Sequence, residues 1–231
     1  MERIMPAETM RYASYHDRWA GQYDAIYEGM GSAYVQLTVE TLGIIDRLNL
    51  PNKSSVVDFG AGTGRLAIPL AQRGYQVTAV EPSGAMLQQL QQKARACGVS
   101  VAAVQSTIGD FEGTPELFHL ALCVFTVLNY LTEEEQLTRA AQVMAGSLKV
   151  GGHLLVEIPQ QRVLDNLARR TGQPQRYIFE EHDAIIPLRY WDRGLITTKL
   201  GQDGLQLIAD YSDRFSFVAL DYLLFRKVKL T

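Results

Sequence analysis

The sequence predicts an α/β fold: a doubly wound, mostly parallel seven-stranded sheet with an antiparallel pair of strands towards the C-terminal end of the chain. Three observations lead to this prediction. Between residues 55 and 159, short apolar runs alternate with segments whose apolar residues recur at helical spacing. A glycine-rich stretch joins the first apolar run to the first of these helical segments. After Pro159 the rhythm changes to strand-like segments with little helix between them, which favours an appended antiparallel pair.

The elements of this fold can be placed in order along the chain. A helix is predicted over residues 33–48, and helices over residues 63–74, 82–98 and 132–152 connect the parallel strands as right-handed crossovers. Pro69 predicts a kink in the helix over residues 63–74. Thr132 and Glu135 predict a capped start for the helix over residues 132–152. The predicted parallel strands are residues 55–59, 75–81, 100–107, 117–127 and 153–159.

The remaining segments complete a single domain. Residues 161–170 are predicted to be helical, and residues 176–191 and 205–230 to be strand-like. No stretch has the composition of a linker, so residues 1–231 are expected to form one domain. Residues 1–32 precede the first strand and are rich in aromatic side chains, and we expect them to form a helical lid.

Composition argues against several function classes. The net charge of −3 provides no basic field for a nucleic acid, and the longest apolar run, residues 120–128, is far below the roughly 18 residues of a membrane span. Cys97 and Cys123 form no C-x-x-C pair, and the first residues have no apolar leader. We therefore expect a cytoplasmic protein that acts on neither nucleic acid nor membrane, as a monomer or a homodimer.

The stretch "SVVDFGAGTGRLAIPLA", residues 55–71, raises the question of its ligand. Gly60, Gly62 and Gly64 follow a spacing of G-x-G-x-G, which differs from the G-x-G-x-x-G of dinucleotide sites. Asp58 immediately before them would repel a diphosphate. Glu81 ends the next strand, where an acid can accept both hydroxyls of a ribose. An unphosphorylated nucleoside with a positively charged tail fits these features, and S-adenosylmethionine (SAM) is such a molecule.

These residues also carry a family resemblance. The stretch "VVDFGAGTGRLAIPLAQRGYQVTAVEPSGAML" resembles motif I and the following acidic strand of the class I SAM-dependent methyltransferases. The segment "FHLALCVFTVLNYLTEEEQLTRAAQVMAGSLKVGGHLLVEIP" is similar to their fourth strand, next helix, Gly-Gly turn and fifth strand, and residues 203–228 to their closing strand pair. The resemblance implies the Rossmann-like methyltransferase fold, the cofactor SAM and the product S-adenosylhomocysteine (SAH).

The resemblance also implies a set of cofactor-binding positions. An acidic residue often follows the third strand in this family, and here either Asp110 or the backbone of residues 107–108 stands near that place; we favour the backbone. The family's fourth strand usually begins with Phe-Asp, but this sequence has Phe118-His119. The implied cofactor-binding residues are Tyr23, Asp58, Gly60, Ala61, Gly62, Gly64, Glu81, Pro82, Met86, Thr107, Ile108 and Phe125.

The acceptor side is less well defined by the sequence. Tyr23 and Tyr27 stand four residues apart, so both face one way if they are helical. They could pack on the domain, or they could reach the cofactor and acceptor from the lid. No single general base stands out, and His16, Tyr23 and Tyr27 are the candidates. Tyr27, Tyr130 and Tyr190 are candidate acceptor-binding residues, although the stretch around Tyr190 fits a core strand equally well.

Other polar clusters are interpreted as structural. His119 and His153 are placed at the starts of strands, and residues 180–183, "EEHD", have no further histidine at helical spacing, so no metal site is predicted. The predicted function is SAM-dependent methyl transfer to a nitrogen or oxygen atom of a small molecule. The alternatives are a non-catalytic SAM-binding or partner-binding protein on the same fold and, less favoured, a nicotinamide-dependent reductase, for which a Y-x-x-x-K pair is lacking.

Overall fold

Helices and strands alternate through most of the computed structural model, which describes residues 7–29, 31–160, 162–163, 176–181, 184–212 and 219–229. The helices are α1 (Ala7–Trp19), α2 (Tyr23–Glu28), α3 (Ser32–Asp46), α4 (Ala67–Gln72), α5 (Gly84–Ala96), α6 (Glu134–Ser147) and α7 (Arg193–Gln202). The strands are β1 (Ser55–Phe59), β2 (Gln76–Glu81), β3 (Ala102–Gln105), β4 (Phe118–Cys123), β5 (Leu148–Pro159), β6 (Arg176–Glu181), β7 (Ala184–Arg189), β8 (Leu205–Ser212) and β9 (Leu220–Lys227). A short 3₁₀ helix covers Val127–Tyr130.

The predicted α/β architecture is confirmed by the main sheet, whose strand order is β3-β2-β1-β4-β5-β9-β8. The first five of these strands pair in parallel, while β9 pairs antiparallel with both β5 and β8. The order reverses between β1 and β4, which opens a crevice beyond the carboxyl ends of these strands. Strands β6 and β7 form a separate two-stranded antiparallel sheet.

The sheet is buried on both faces, because successive residues of its central strands enter two different hydrophobic clusters. In β1, Val56 packs with residues of α3, α4 and α5, whereas Val57 packs with residues of α6 and α7. In β4, Leu120 packs in the same cluster as Val56, and Ala121 in the same cluster as Val57. Burial on both faces explains why these strands are continuous apolar runs in the sequence.

The reason for predicting a kink at Pro69 is removed, because the helix begins later than the sequence pattern indicates. Residues 62–66 form turns after the glycine loop, and α4 begins at Ala67. Pro69 therefore lies in the first helical turn, where its missing N–H has no intrahelical acceptor to lose.

Three further expectations need correction. The capping box of α6 is formed by Glu133 and Gln136, one residue later than the predicted Thr132 and Glu135. A ten-residue helix, α7, stands between β7 and β8, where little helix was predicted. The segment predicted as strand-like over residues 176–191 forms two strands, β6 and β7, which pair with each other outside the main sheet. Most of the helix predicted over residues 161–170 lies outside the described residues.

Candidate active site

The candidate site lies at the reversal of strand order, beyond the carboxyl ends of β1, β2 and β4. A cavity of about 150 Å³ opens there. The sequence-predicted site residues that line it are His16, Tyr23, Tyr27, Gly60, Gly62, Glu81, Pro82, Met86, Thr107, Ile108, Phe125 and Tyr130. Chain segments far apart in the sequence thus meet in one pocket.

A smaller cavity of about 30 Å³ adjoins the first, with Tyr23, Gly60 and Phe125 among the lining residues they share. Asp58 and Ala61 of the predicted set line this second space. Its further residues, which the sequence analysis did not single out, include Tyr34, Thr63 and Arg65.

Gly64 and Tyr190 are not among the described residues that line either cavity. Gly64 has a φ of +93°, and a Cβ at this position would lie 2.9 Å from Cγ of Leu90 on α5. This glycine therefore allows the loop to pack closely on α5. Tyr190 follows β7 and precedes the buried Trp191.

The glycine loop turns sharply out of β1 because two of its residues adopt left-handed backbone conformations beside the cavity. Gly60 has a φ of +74°, and a Cβ there would lie 2.4 Å from a methyl carbon of Val127. Gly62 has a φ of +53°, and no atom lies within 4 Å of where its Cβ would be. The space beside Gly62 is therefore open. Only glycine adopts the backbone conformation of this position without strain.

Glu81 is fixed at the end of β2 by two backbone hydrogen bonds. Its Oε2 accepts from Gly62 N at 3.0 Å and its Oε1 accepts from Ser83 N at 3.0 Å. Burial raises the pKa of Glu81 to about 7, although both of these bonds favour the charged form. Each carboxylate oxygen has a second lone pair, so Glu81 can accept further hydrogen bonds from a ligand in the cavity.

Asp58 is a second buried carboxyl group, and its side chain lines the smaller cavity. Burial raises its pKa to about 7; nearby Arg65 opposes this rise, and the charges of Glu81 and Glu157 reinforce it. A cation that enters the smaller cavity would therefore stabilise the charged form of Asp58.

Arg65 brings a positive charge to the same space. Its guanidinium carbon lies 5.7 Å from the ring centre of Tyr34 and 5.1 Å from that of Phe125, within the range of cation–π contacts. Its Nη1 lies 3.4 Å from Thr38 Oγ1 and donates to it. The smaller cavity thus offers a carboxyl group and a guanidinium together, a combination that suits a zwitterionic α-amino acid group.

Aromatic rings from α1 and α2 cover the main cavity. The rings of Tyr23 and Tyr27 lie 4.7 Å apart, and Tyr27 meets Phe125 edge-on at 5.2 Å. The ring of His16 lies 5.5 Å from that of Tyr130, with Nε2 3.4 Å from the hydroxyl oxygen. Burial, reinforced by the neighbouring phenols, raises the pKa of Tyr23 well above its usual value.

Two aspartates hold α1 and α2 against the glycine loop and α5. Asp17 accepts from Ser83 Oγ at 2.6 Å and from Ala85 N at 3.1 Å, at the start of α5. The sequence analysis did not identify this contact.

The second of these aspartates, Asp24, joins α2 to the glycine loop and to α5. It accepts from Thr63 Oγ1 at 2.5 Å and from Lys93 Nζ at 2.5 Å. Because Thr63 belongs to the glycine loop, the position of α2 is tied directly to that loop.

Several polar residues lie away from the cavities. His119 is at the amino end of β4, where its Nδ1 accepts from Ser55 N at 3.1 Å and so links the starts of β1 and β4. His153 lies inside β5 rather than at its start. Asp110 is hydrogen-bonded to Thr107 and is not among the described lining residues.

The described residues contain no group of three or more His, Cys, Asp or Glu side chains suited to a metal ion. Two of the residues in "EEHD", at positions 182 and 183, lie outside the described part of the chain. No helix in the described ranges is both long enough and apolar enough to cross a membrane.

The fold and the site together define a class of protein. The strand order β3-β2-β1-β4-β5 is that of the class I SAM-dependent methyltransferase fold, and here Asp58 stands just before the glycine loop and Glu81 ends β2. Residues 56–152 match a family model described as a methyltransferase domain. The predicted resemblance to the SAM-dependent methyltransferases is therefore confirmed, with a methyltransferase domain matched over residues 56–152.

Individual relatives agree with this assignment. A putative methyltransferase of Geobacillus sp. is 33% identical over 112 residues, which cover 48% of this chain and 45% of the relative. A SAM-dependent methyltransferase from Clostridium acetobutylicum superposes with a TM-score of 0.73 at 16% identity, covering 90% of this chain and 99% of its own. The magnesium protoporphyrin IX methyltransferase of Synechocystis with bound SAH superposes with a TM-score of 0.73 at 19% identity, covering 95% of this chain and 99% of its own. The chain spans about half the length of the first curated relatives it matches.

Proposed function

We propose that this protein transfers a methyl group from SAM to a nitrogen or oxygen atom of a small molecule in the cytoplasm. The observation that carries the proposal is the position of Glu81: a buried carboxyl group, held by the glycine loop itself, at the edge of a cavity. One structural neighbour is a magnesium protoporphyrin IX methyltransferase, which supports a small-molecule acceptor.

The residues present fit SAM as a ligand. Glu81 would accept from the ribose hydroxyls, and Met86, Pro82 and Ile108 would contact the adenine. The open space beside Gly62 allows the ligand to approach the backbone closely. In the smaller cavity, Asp58 would face the ammonium group of the methionine moiety and Arg65 its carboxylate. When bound, SAM supplies a methyl group that a sulfonium already activates.

The chain's own residues then have two tasks. The rings of Tyr23, Tyr27 and Phe125 would exclude water from the space next to the cofactor and restrict the approach of the acceptor. Alignment of this kind can contribute roughly 7–11 kcal/mol to the lowering of a barrier.

An acceptor hydroxyl or ammonium group must also lose a proton. We propose His16 for this step, because its imidazole lines the cavity and lies beside the Tyr130 hydroxyl. The high pKa of Tyr23 leaves its phenol protonated near neutral pH, so Tyr23 would act as a hydrogen-bond donor rather than as the base.

Two measurements test the proposal. Calorimetry should give one-to-one binding of SAH, with a rise in melting temperature, since a ligand selective for the native state stabilises it. Incubation with methyl-labelled SAM and a fractionated small-molecule extract should transfer label to a low-molecular-weight product. Binding of NADH without binding of SAH would contradict the proposal. Binding of SAH with no labelled product from any fraction would favour a non-catalytic SAM-binding protein.

A further inference from the structure

The strand β4 ends in an unusual backbone conformation next to both cavities. Phe125 has a φ of +62° and Thr126 a φ of +63°, so two consecutive non-glycine residues are left-handed. This region is uncommon for any side chain and strained for a β-branched one such as Thr126. Such a pair persists only where the surroundings hold it in place.

The group that holds it is the carboxyl of Glu157 on β5. Glu157 Oε2 accepts a hydrogen bond from the backbone N–H of Phe125 at 2.5 Å, and Glu157 is 1% exposed. Glu157 Oε1 accepts from Thr41 Oγ1 of α3 at 3.2 Å, and Thr41 is itself fully buried. The carboxyl group is thus fixed between β4, β5 and α3.

Glu157 does not itself belong to the described lining of either cavity, but the residues it holds do. Phe125 lines both cavities and Thr126 lines the larger one. The ring of Phe125 contacts Tyr27 of α2 and the guanidinium of Arg65. The direction in which this ring points therefore decides the shape of the space next to the cofactor.

We infer that Glu157 is a positioning residue, which shapes the SAM and acceptor cavities by holding Phe125 and Thr126 in the left-handed conformation. The inference rests on the proposed function for its ligand. It differs from a general packing role in one respect: a packing role depends on the volume of the side chain, whereas positioning depends on an acceptor for the Phe125 N–H.

The test is SAH affinity by calorimetry, with thermal melting to compare stabilities. Glu157→Ala should bind SAH at least ~10-fold more weakly than the natural protein, because it removes a hydrogen bond to a charged or polar acceptor and releases the strained pair. Glu157→Gln keeps an acceptor oxygen and should stay within ~3-fold. Met144→Ala removes a fully buried side chain on α6 away from the cavities and serves as the control for lost stability alone.

A double variant tests the route of the effect. Glycine adopts the left-handed region without strain, so Thr126→Gly in the Glu157→Ala background should bind SAH more tightly than Glu157→Ala alone. If Glu157→Ala does not fold, Glu157→Met, which fills the volume without a strong acceptor, takes its place with the same expectations.

The outcomes separate the two proposals. If the natural protein binds no SAH, the proposed function fails. If the natural protein binds SAH and Glu157→Ala binds it equally well, or loses no more affinity than Met144→Ala, the positioning role is overturned. A double variant as weak as Glu157→Ala would equally overturn it, because Glu157 would then act by another route.

Discussion

Asp58 and Glu81 are carboxyl groups that change their charge near neutral pH. Burial raises the pKa of each to about 7, so both are largely protonated at pH 6 and largely charged at pH 8. SAH brings an ammonium group to Asp58 in the proposed complex. Binding should therefore favour the charged carboxylate and release protons near pH 7.

We expect the affinity for SAH to rise by up to about 10-fold between pH 6 and pH 8, because the charged fraction of a group with a pKa near 7 grows from about a tenth to about nine tenths. Calorimetry in two buffers of different ionisation enthalpy at pH 7 would measure the released protons. Asp58→Asn should show a flatter pH dependence and fewer released protons. An unchanged slope in this variant would mean that Asp58 does not face the ligand's cation.

Glu81 gives a second prediction that concerns affinity rather than pH. Glu81→Ala removes charge-assisted hydrogen bonds worth roughly 1.5–3 kcal/mol each before water compensates, so SAH should bind at least ~10-fold more weakly. Glu81→Gln can still accept from one of Gly62 and Ser83, and should lose less. Unchanged affinity in a folded Glu81→Ala protein would place the ribose elsewhere.

His16 is expected to affect turnover more than binding. With an acceptor identified from the labelling experiment, His16→Asn should lower kcat by ~10²-fold or more, the lower end of the usual contribution from a general base. Its affinity for SAH should change little. A kcat within ~3-fold of that of the natural protein would remove His16 from the proton-transfer step.

Asp17 and Asp24 join the helices α1 and α2 to the glycine loop and α5, which hold the ligand in the proposed complex, so the docking of these helices should respond to the ligand. Asp24→Asn weakens the contacts with Thr63 and Lys93, and limited proteolysis should then cut residues 7–29 faster. In the natural protein, SAH should slow the same cleavage, as expected of a lid.

A matched control is available in Asp46, which pairs with Arg73 at 2.9 Å on the exposed end of α3. Asp46→Asn should leave the cleavage of residues 7–29 unchanged. If Asp24→Asn and Asp46→Asn are cut at the same rate, or if SAH has no effect on the natural protein, the segment does not close over the site.

The glycine loop and the parallel strands could be predicted from the sequence because their physical causes are local. Left-handed turns need glycine, and strands buried on both faces need continuous apolar runs.

The helix α7 could not be predicted in this way. Its sequence has two glycines and three consecutive β-branched residues, at 196–198, which are poor helix formers. Asp192 caps its start, and Ile196 and Leu200 are buried in the core, so tertiary contacts override propensity.

The same division applies to the candidate site. Asp58 and Glu81 could be identified because both lie at the carboxyl ends of neighbouring parallel strands, β1 and β2, which open on the same crevice. Arg65 and Tyr34 could not, because their meeting at Phe125 depends on how α3 packs against the loop. The sequence signal for Arg65 was its location directly after the third glycine, which places it near the glycine loop. Glu157 carried no signal other than its place at the end of an apolar strand.

For the molecule as a whole, the buried acids make stability depend on pH. Asp58 has a pKa of about 7 in the folded protein and a usual value of 3.8, so the folded state holds more protons between these limits. The free energy of unfolding contributed by this group therefore falls as pH rises from about 4 to about 7, and stays low above that.

We expect Asp58→Asn to melt at a higher temperature than the natural protein at pH 8, because it removes a buried charge that lacks its ligand. The gain should be several degrees, since each kcal/mol shifts the melting temperature by about 2–4 °C in a protein of this size. At pH 5 the two melting temperatures should converge. Saturating SAH should reduce the difference at pH 8. A variant that is less stable than the natural protein at pH 8 would contradict this account.

The placement of β9 has a consequence for biosynthesis. Residues 220–227 come later in the chain than every other described strand, yet they lie between β5 and β8 in the finished sheet. While the ribosome is still adding them, β5 presents a row of unpaired backbone groups beside Leu154, Leu155 and Val156, all of which are fully buried in the finished protein. Such an edge pairs readily with other chains. We therefore expect the nascent chain to be prone to intermolecular pairing at this edge until β9 inserts between β5 and β8.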